Sequence, residues 1–206
     1  MKTLNILTFT KTRKNSKSLK KEDVRNKMNK IKIYFPYESE DYDQKKFGFG
    51  YSPENIDVCL VSEGLPLEKK WERFTIEIRY GLLPDFLITD LNLPTCSSKM
   101  KRIITENCRN SEDINWLPID VSYDKTLIEF YILHVPHYIP NVIDLEKSDR
   151  DGDVIFFPHF RQDLIQDKDI FASEDDTTAI YISERLRNIL ENENLPGLGF
   201  ESWEAS

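Results

Sequence analysis

Two stretches in the middle of the chain decide the fold: Trp116-Leu117-Pro118-Ile119-Asp120-Val121, and, after a polar turn around Asp124, Leu127-Ile128-Glu129-Phe130-Tyr131-Ile132-Leu133-His134-Val135. Both read as strands, and the second is too apolar to lie on a surface. A sheet with a buried face therefore forms the core. Working outward, Ile31-Lys32-Ile33-Tyr34-Phe35 alternates apolar and polar residues before Pro36, as a half-buried opening strand does. Phe74, Ile76, Ile78 and Tyr80 alternate with polar residues up to Gly81, the pattern of an antiparallel-type strand with one solvated face. Shorter strands are expected at Val58–Val61, Val142–Leu145, Val154–Phe157 and Ala179–Ile182, and a last one through Phe200. Residues 36–55, with charge, tyrosines and Gly48-Phe49-Gly50, read as a loop or loosely held hairpin.

Two helices are expected, each led by serine. Ser97-Ser98-Lys99-Met100-Lys101-Arg102-Ile103-Ile104 and Ser183-Glu184-Arg185-Leu186-Arg187-Asn188-Ile189-Leu190 both place apolar residues three and four apart behind a capping hydroxyl. Their cap, basic and apolar positions coincide. A duplicated sheet-plus-helix unit would explain this and would give two related lobes, 31–110 and 111–206; two unrelated amphipathic helices that both start at Ser would look the same. The expected fold class is α+β, a mainly antiparallel sheet with a few short helices.

Composition bounds the function. The 206 residues carry 28 Lys/Arg and 36 Asp/Glu, a formal net charge of −8. Residues 1–30 hold ten of the basic and two of the acidic residues, which leaves 18 against 34, or −16, for residues 31–206. The basic stretch reads as a solvated N-terminal extension or a nucleic-acid-binding or lipid-binding tail, and the rest as an acidic folded body. The chain has no run of 18 apolar residues and no convincing secretory signal, so a cytoplasmic protein without membrane insertion is expected. Cys59, Cys96 and Cys108 are an odd number without a Cys-x-x-Cys pair, which fits neither a disulfide framework nor a zinc cage; reduced, buried thiols are expected.

Catalytic motifs are sparse. His134-Val135-Pro136-His137 places two histidines three apart at a strand end, and with His159 they are the candidate metal ligands of a small hydrolase. Pro136 breaks helical spacing, and no Cys or carboxylate cluster stands at ligand distance, so strand-end histidines satisfied by backbone or solvent are the competing account. Asp149-Arg150-Asp151-Gly152-Asp153 begins like a calcium loop, but lacks the glycine and glutamate that loop requires at its sixth and twelfth positions. Neither a phosphate-binding loop nor a serine-nucleophile elbow occurs. No cofactor and no metal are expected.

The remaining signal is a resemblance. Leu83-Pro84-Asp85-Phe86-Leu87 ahead of Ser97–Ile104, Tyr131-Ile132-Leu133 with Val142-Ile143-Asp144 and Ser148, Asp169-Ile170-Phe171, Ile180–Leu186 and above all Leu195-Pro196-Gly197-Leu198-Gly199-Phe200 resemble the bacterial immunity proteins of polymorphic toxin systems. The resemblance spans about residues 31–200. It implies an antitoxin that binds a cognate toxin domain without turnover, and it assigns no contact residue. The acidic body would attract a basic partner, such as a nuclease toxin. The candidate toxin-binding residues are Asp149, Asp151 and Asp153 in one acidic loop and Glu174, Asp175 and Asp176 in one acidic run, each of which also reads as solvated charge serving solubility. Nucleic-acid binding by the folded body is disfavoured by its acidity.

Overall fold

The computed structural model describes residues 31–54, 56, 61, 65–67, 70–177 and 179–206. In chain order these form β1 (Ile31–Glu38), α1 (Tyr42–Lys45), β2 (Gly50–Tyr51), β3 (Thr75–Ile78), β4 (Phe86–Leu87), β5 (Thr95–Ser97) and α2 (Ser98–Asn107). A 3-10 turn at Ser111–Asp113 leads to β6 (Asn115–Tyr123), β7 (Thr126–His134), β8 (Asp149–Asp151), β9 (Val154–Phe157) and β10 (His159–Phe160). Then come α3 (Gln162–Ile165), β11 (Ile170–Ala172), β12 (Ile180–Ser183), α4 (Glu184–Asn192) and β13 (Leu198–Ala205). The basic extension, Cys59 and most of the strand expected at Val58–Val61 lie outside the described residues.

The central hairpin is β6–β7, paired antiparallel from Asn115↔His134 to Tyr123↔Thr126. Asp124 and Lys125 both take left-handed backbone angles, φ 46° and 63°, the combination whose twist matches the flanking strands of a two-residue turn. Alternation then sorts the side chains: Leu117, Ile119 and Val121 point with Phe130 and Ile132 into one apolar core, shared with Ile76, Ile78 and Leu67. Full burial of each such side chain is worth about 1.5–3 kcal/mol relative to exposure.

This hairpin centres a six-stranded sheet in the order β2-β3-β6-β7-β5-β4, and a five-stranded sheet runs β10-β13-β1-β12-β11. Each sheet draws strands from both sides of residue 110, since β6 and β7 join the first and β1 the second. The α+β class holds, with pairing mostly antiparallel. The exceptions are β3–β6 and β10–β13, which are parallel; β3, whose sequence reads as an antiparallel-type strand, is antiparallel to its edge neighbour β2 and parallel to β6. One face of the five-stranded sheet packs Tyr34, Ile170, Ile180 and Ile182 against both long helices. The opposite face carries Ile33, Phe160, Phe171 and Tyr181.

Several boundaries differ from expectation for identifiable reasons. β1 continues through Pro36 because β12 pairs only with Ile33 and Tyr34, while β13 follows β1 to Glu38, so the proline stands where one side of the strand is open. Val142–Leu145 is not a strand: Asn141 turns the backbone left-handed, and only Ile143 bridges to Phe160. Asp149–Asp151, read from sequence as part of an acidic loop, is β8, and the turn itself falls at Gly152 (φ 60°). β13 extends past Phe200 to Ala205.

Leu195-Pro196-Gly197 closes the fold onto β4. The Pro196 carbonyl accepts from the backbone N–H groups of Asp85 (2.8 Å) and Phe86 (3.1 Å), and the Gly197 carbonyl from Ser39 (3.0 Å). Gly197 sits at φ +87°, and a Cβ there would lie 2.6 Å from the Phe86 carbonyl oxygen, so both backbone angle and space exclude other residues.

Candidate interaction surface

The β8–β9 hairpin presents its acids to solvent. Asp149, Asp151 and Asp153 are all exposed, whereas Arg150 folds back on the backbone, its guanidinium donating to the carbonyls of Leu145 (3.2 Å) and Gly152 (2.9 Å). The hairpin's one cation is thereby spent on holding its own turn. A two-stranded ribbon can cover only one of its faces, and β9 is apolar throughout. Val154, Phe156 and Phe157 accordingly remain 53–59% exposed, with Phe157 meeting the Trp203 ring edge-on at 5.7 Å.

The second acidic run begins where Ser173, fully buried, accepts from the Asp175 backbone N–H at 3.1 Å. Glu174 and Asp175 are exposed. Asp176 differs: its carboxylate accepts from the Tyr181 hydroxyl at 3.0 Å. Burial, then the neighbouring Asp176 charge, pushes the Tyr181 phenol far above its ordinary pKa, so it stays a donor.

The apolar strand of the ribbon and the end of the second acidic run border one groove. A cavity of about 370 Å³ is lined by Ile155 and Phe156 of the hairpin on one side and by Asp176, Glu201 and Trp203 on the other. It shares Phe35 and Asn92 with an adjoining cavity of about 260 Å³ that continues past Tyr37 and Glu38 to Ile88 and Leu93. The combined groove has an aromatic and aliphatic floor, three carboxylates along it, and no lysine or arginine among its described lining residues. Of the acids proposed from sequence, Asp176 lines this groove, and Asp149, Asp151 and Asp153 are not among its described lining residues. Sequence reasoning missed Glu38, Glu201 and the aromatic floor, although four successive apolar residues, Val154–Phe157, beside an acidic turn already implied a face left uncovered.

The histidines are not brought together. His134 is buried on β7 opposite Asn115, His137 is exposed on a left-handed turn (φ 67°), and His159 places Nε2 2.8 Å from the Ser206 hydroxyl. Among the described residues no group of three His, Cys, Asp or Glu side chains is placed to hold a metal ion. Cys96 and Cys108 are buried free thiols, and burial raises Cys108 to about 11 and Cys96 further still.

One buried carboxylate has the perturbed character sought in catalytic acids. Asp169 is fully buried; burial raises its pKa, but hydrogen bonds from Arg109 and Ser183 outweigh that, and the net shift is downward. Its two oxygens accept from Arg109 Nε (3.0 Å), Nη2 (2.9 Å) and backbone N (2.9 Å), from Arg185 Nη1 (2.6 Å) and from the Ser183 hydroxyl (2.6 Å). Five donors saturate the carboxylate, which suits it to clamping β11 to both helices and leaves no lone pair for a substrate proton.

No curated protein matches the chain. A model of the immunity protein family Imm11 matches residues 71–205, a stretch that contains both serine-capped helices, the β6–β7 hairpin and the acidic β8–β9 ribbon, and that leaves out β1.

Proposed function

The chain belongs to the Imm11 immunity protein family, and from that premise we propose that it neutralises a cognate toxin domain by binding it one to one, with no bond made or broken by its own side chains. The family match over residues 71–205 carries this reading. In it, the partner is the toxin of a polymorphic toxin system, the encounter takes place in the cytoplasm, and the toxin is basic, as nucleases that grip phosphate are.

The charge of the body supports a basic partner. A balance of −16 over residues 31–206 speeds encounter with a cationic surface, toward about 10⁸–10⁹ M⁻¹s⁻¹ at low salt. On this reading the ribbon acids Asp149, Asp151 and Asp153 and the run Glu174, Asp175 and Asp176 steer the approach.

Co-expression with the toxin domain encoded beside this gene tests the proposal. Growth is expected to be restored, and a one-to-one complex to survive a pull-down at about 0.15 M salt, where exposed charges are screened beyond about 8 Å. Toxicity unchanged by co-expression, with no complex recovered, refutes it.

A further inference from the structure

Resting on the toxin-binding reading above, we propose that the toxin docks on the open edge of the β8–β9 ribbon by adding a strand of its own to β9. That strand covers Val154 and Phe156, and its lysine or arginine heads reach across β9 to Asp151 and Asp153.

The edges of the two large sheets set the contrast, because a loop backbone meets each of them. The Ile88 carbonyl accepts from the Gly50 N–H of β2 (2.9 Å) and the Pro196 carbonyl from the Phe86 N–H of β4 (3.1 Å). The Ile139 N–H donates to the Ala172 carbonyl of β11 (3.0 Å), and the Asp144 N–H to the His159 carbonyl of β10 (2.7 Å). Covering an edge in this way keeps a sheet from pairing with other chains. The ribbon is a sheet of two strands, and among the described residues no backbone bond reaches β8 or β9 from outside it. Its two edges differ in kind. β8 is Asp149-Arg150-Asp151, charged along its length as an edge that discourages pairing, whereas β9 is Val154-Ile155-Phe156-Phe157, with three of its four side chains exposed. A bare apolar edge is a template for strand addition, in which backbone bonds give affinity and alternate side chains give choice.

The charge of the ribbon says which strand fits. Asp149, Asp151 and Asp153 are exposed, and Arg150 is turned onto the Leu145 and Gly152 carbonyls. A second copy of the chain would bring the same three carboxylates to the junction, whereas a cationic strand gains from them. Asp151 pairs with Val154, so it stands two strand spacings, about 10 Å, from the residue added opposite Val154. The stem of a lysine or arginine laid over Val154 and Phe156 covers most of that gap, and the aspartate side chain closes it.

Titration calorimetry and amide hydrogen exchange on the full-length protein, free and with the toxin domain encoded beside this gene, test the assignment. In the complex, exchange in β9 is expected to slow by about 10-fold or more, while β2 and β4 change little. The variant Val154→Lys with Phe156→Lys charges the open edge; Leu82→Lys with Leu127→Lys makes the same change in net charge at two other exposed apolar sites. The edge variant is expected to weaken Kd by about 30-fold or more, and the control by less than about 3-fold. Phe156→Ser gives a second reading that does not depend on tolerating new charges, with a loss of about 10-fold.

Equal losses in both charge variants would mean bulk electrostatics and overturn the edge assignment. So would wild-type affinity in the edge and Phe156→Ser variants, or a complex that leaves exchange in β9 unchanged, with the toxin-binding reading left standing. Failure of the wild-type protein to bind the toxin at all removes that reading and this one together. A wild-type dimer that the edge variant converts to monomer would assign the edge to a second copy of the chain, and also overturns the proposal.

Discussion

The molecule builds one local device twice and finishes the copies differently. In each, a short antiparallel hairpin, β4–β5 or β11–β12, ends on a serine that caps the next helix. Ser97 accepts from the Met100 backbone N–H (3.2 Å) and Ser183 from that of Leu186 (3.1 Å). Each serine hydroxyl then donates to an aspartate at the start of its hairpin, Asp85 or Asp169, whose backbone carbonyl accepts the serine's own N–H at 2.8 or 2.9 Å. From there they diverge. The Asp85 side chain is 17% exposed and has Lys99 at 3.8 Å, whereas Asp169 is fully buried and gripped by Arg109 and Arg185. The hairpin-to-cap geometry starts a helix in either setting, and burial together with the grip of Arg109 and Arg185 turns the same aspartate from a part-exposed acceptor into a structural keystone.

Removing the two carboxylates should separate the copies most. Asp169→Ala leaves Arg185 facing a buried void and Ser183 without its acceptor, and is expected to cost about 3–5 kcal/mol in urea unfolding; Asp85→Ala should cost about 1 kcal/mol, since water reaches the site. Equal losses would break the contrast. The shared part of the device is probed one turn into each helix. Met100 and Leu186, each three residues after its cap and fully buried, should lose similar amounts on truncation to alanine, about 2–5 kcal/mol depending on how far each site collapses. A large disparity there would show that the helices are not equivalent in the core.

The caps come next in size. Ser97→Ala should cost about 1 kcal/mol, the ordinary value of a lost N-cap. Ser183→Ala should cost more, about 2 kcal/mol, because it also strips a donor from a buried carboxylate. The ranking, read by thermal unfolding, matters more than either value.

Much of this device was legible in the sequence, and the reason is locality. A capping hydroxyl and apolar residues three and four apart act within two turns of one helix, so both helices and the central hairpin follow from short windows. Asp85 and Asp169 are out of reach of such windows, because their serines lie across a hairpin and nothing in the spacing says that the two will meet. Ile170–Ala172 is buried on every residue and so shows no alternation to read. The groove is less legible still: Phe35, Asp176 and Trp203 come from separate parts of the chain and converge only once β1 has inserted between β12 and β13. Of the acids proposed from sequence, the structure brings Asp176 into that groove, and it does so through Tyr181, a partner no charge count reveals.

Acid should produce the smallest difference between the copies, and the most specific. The Asp169 pKa is depressed in the folded state, so its contribution is complete above the unfolded carboxyl value of about 3.9 and fades as pH falls from there through the folded value. Asp113, Asp144 and Glu129 are depressed as well, with Lys168, Lys147 and Tyr131 among the groups responsible. Those groups reach solvent, and added salt weakens the ion pairs of Asp113 with Lys168, of Asp144 with Lys147 and of Glu129 with Arg73. Asp169 is shielded, so the acid lability that persists in high salt should be its own. Asp169→Asn is expected to flatten that residual slope below about pH 4. The effect stays below that of Asp169→Ala because a protonated or amide side chain still offers Arg109 and Arg185 a carbonyl oxygen. A residual slope that survives in Asp169→Asn would move the acid-sensitive keystone elsewhere in the fold.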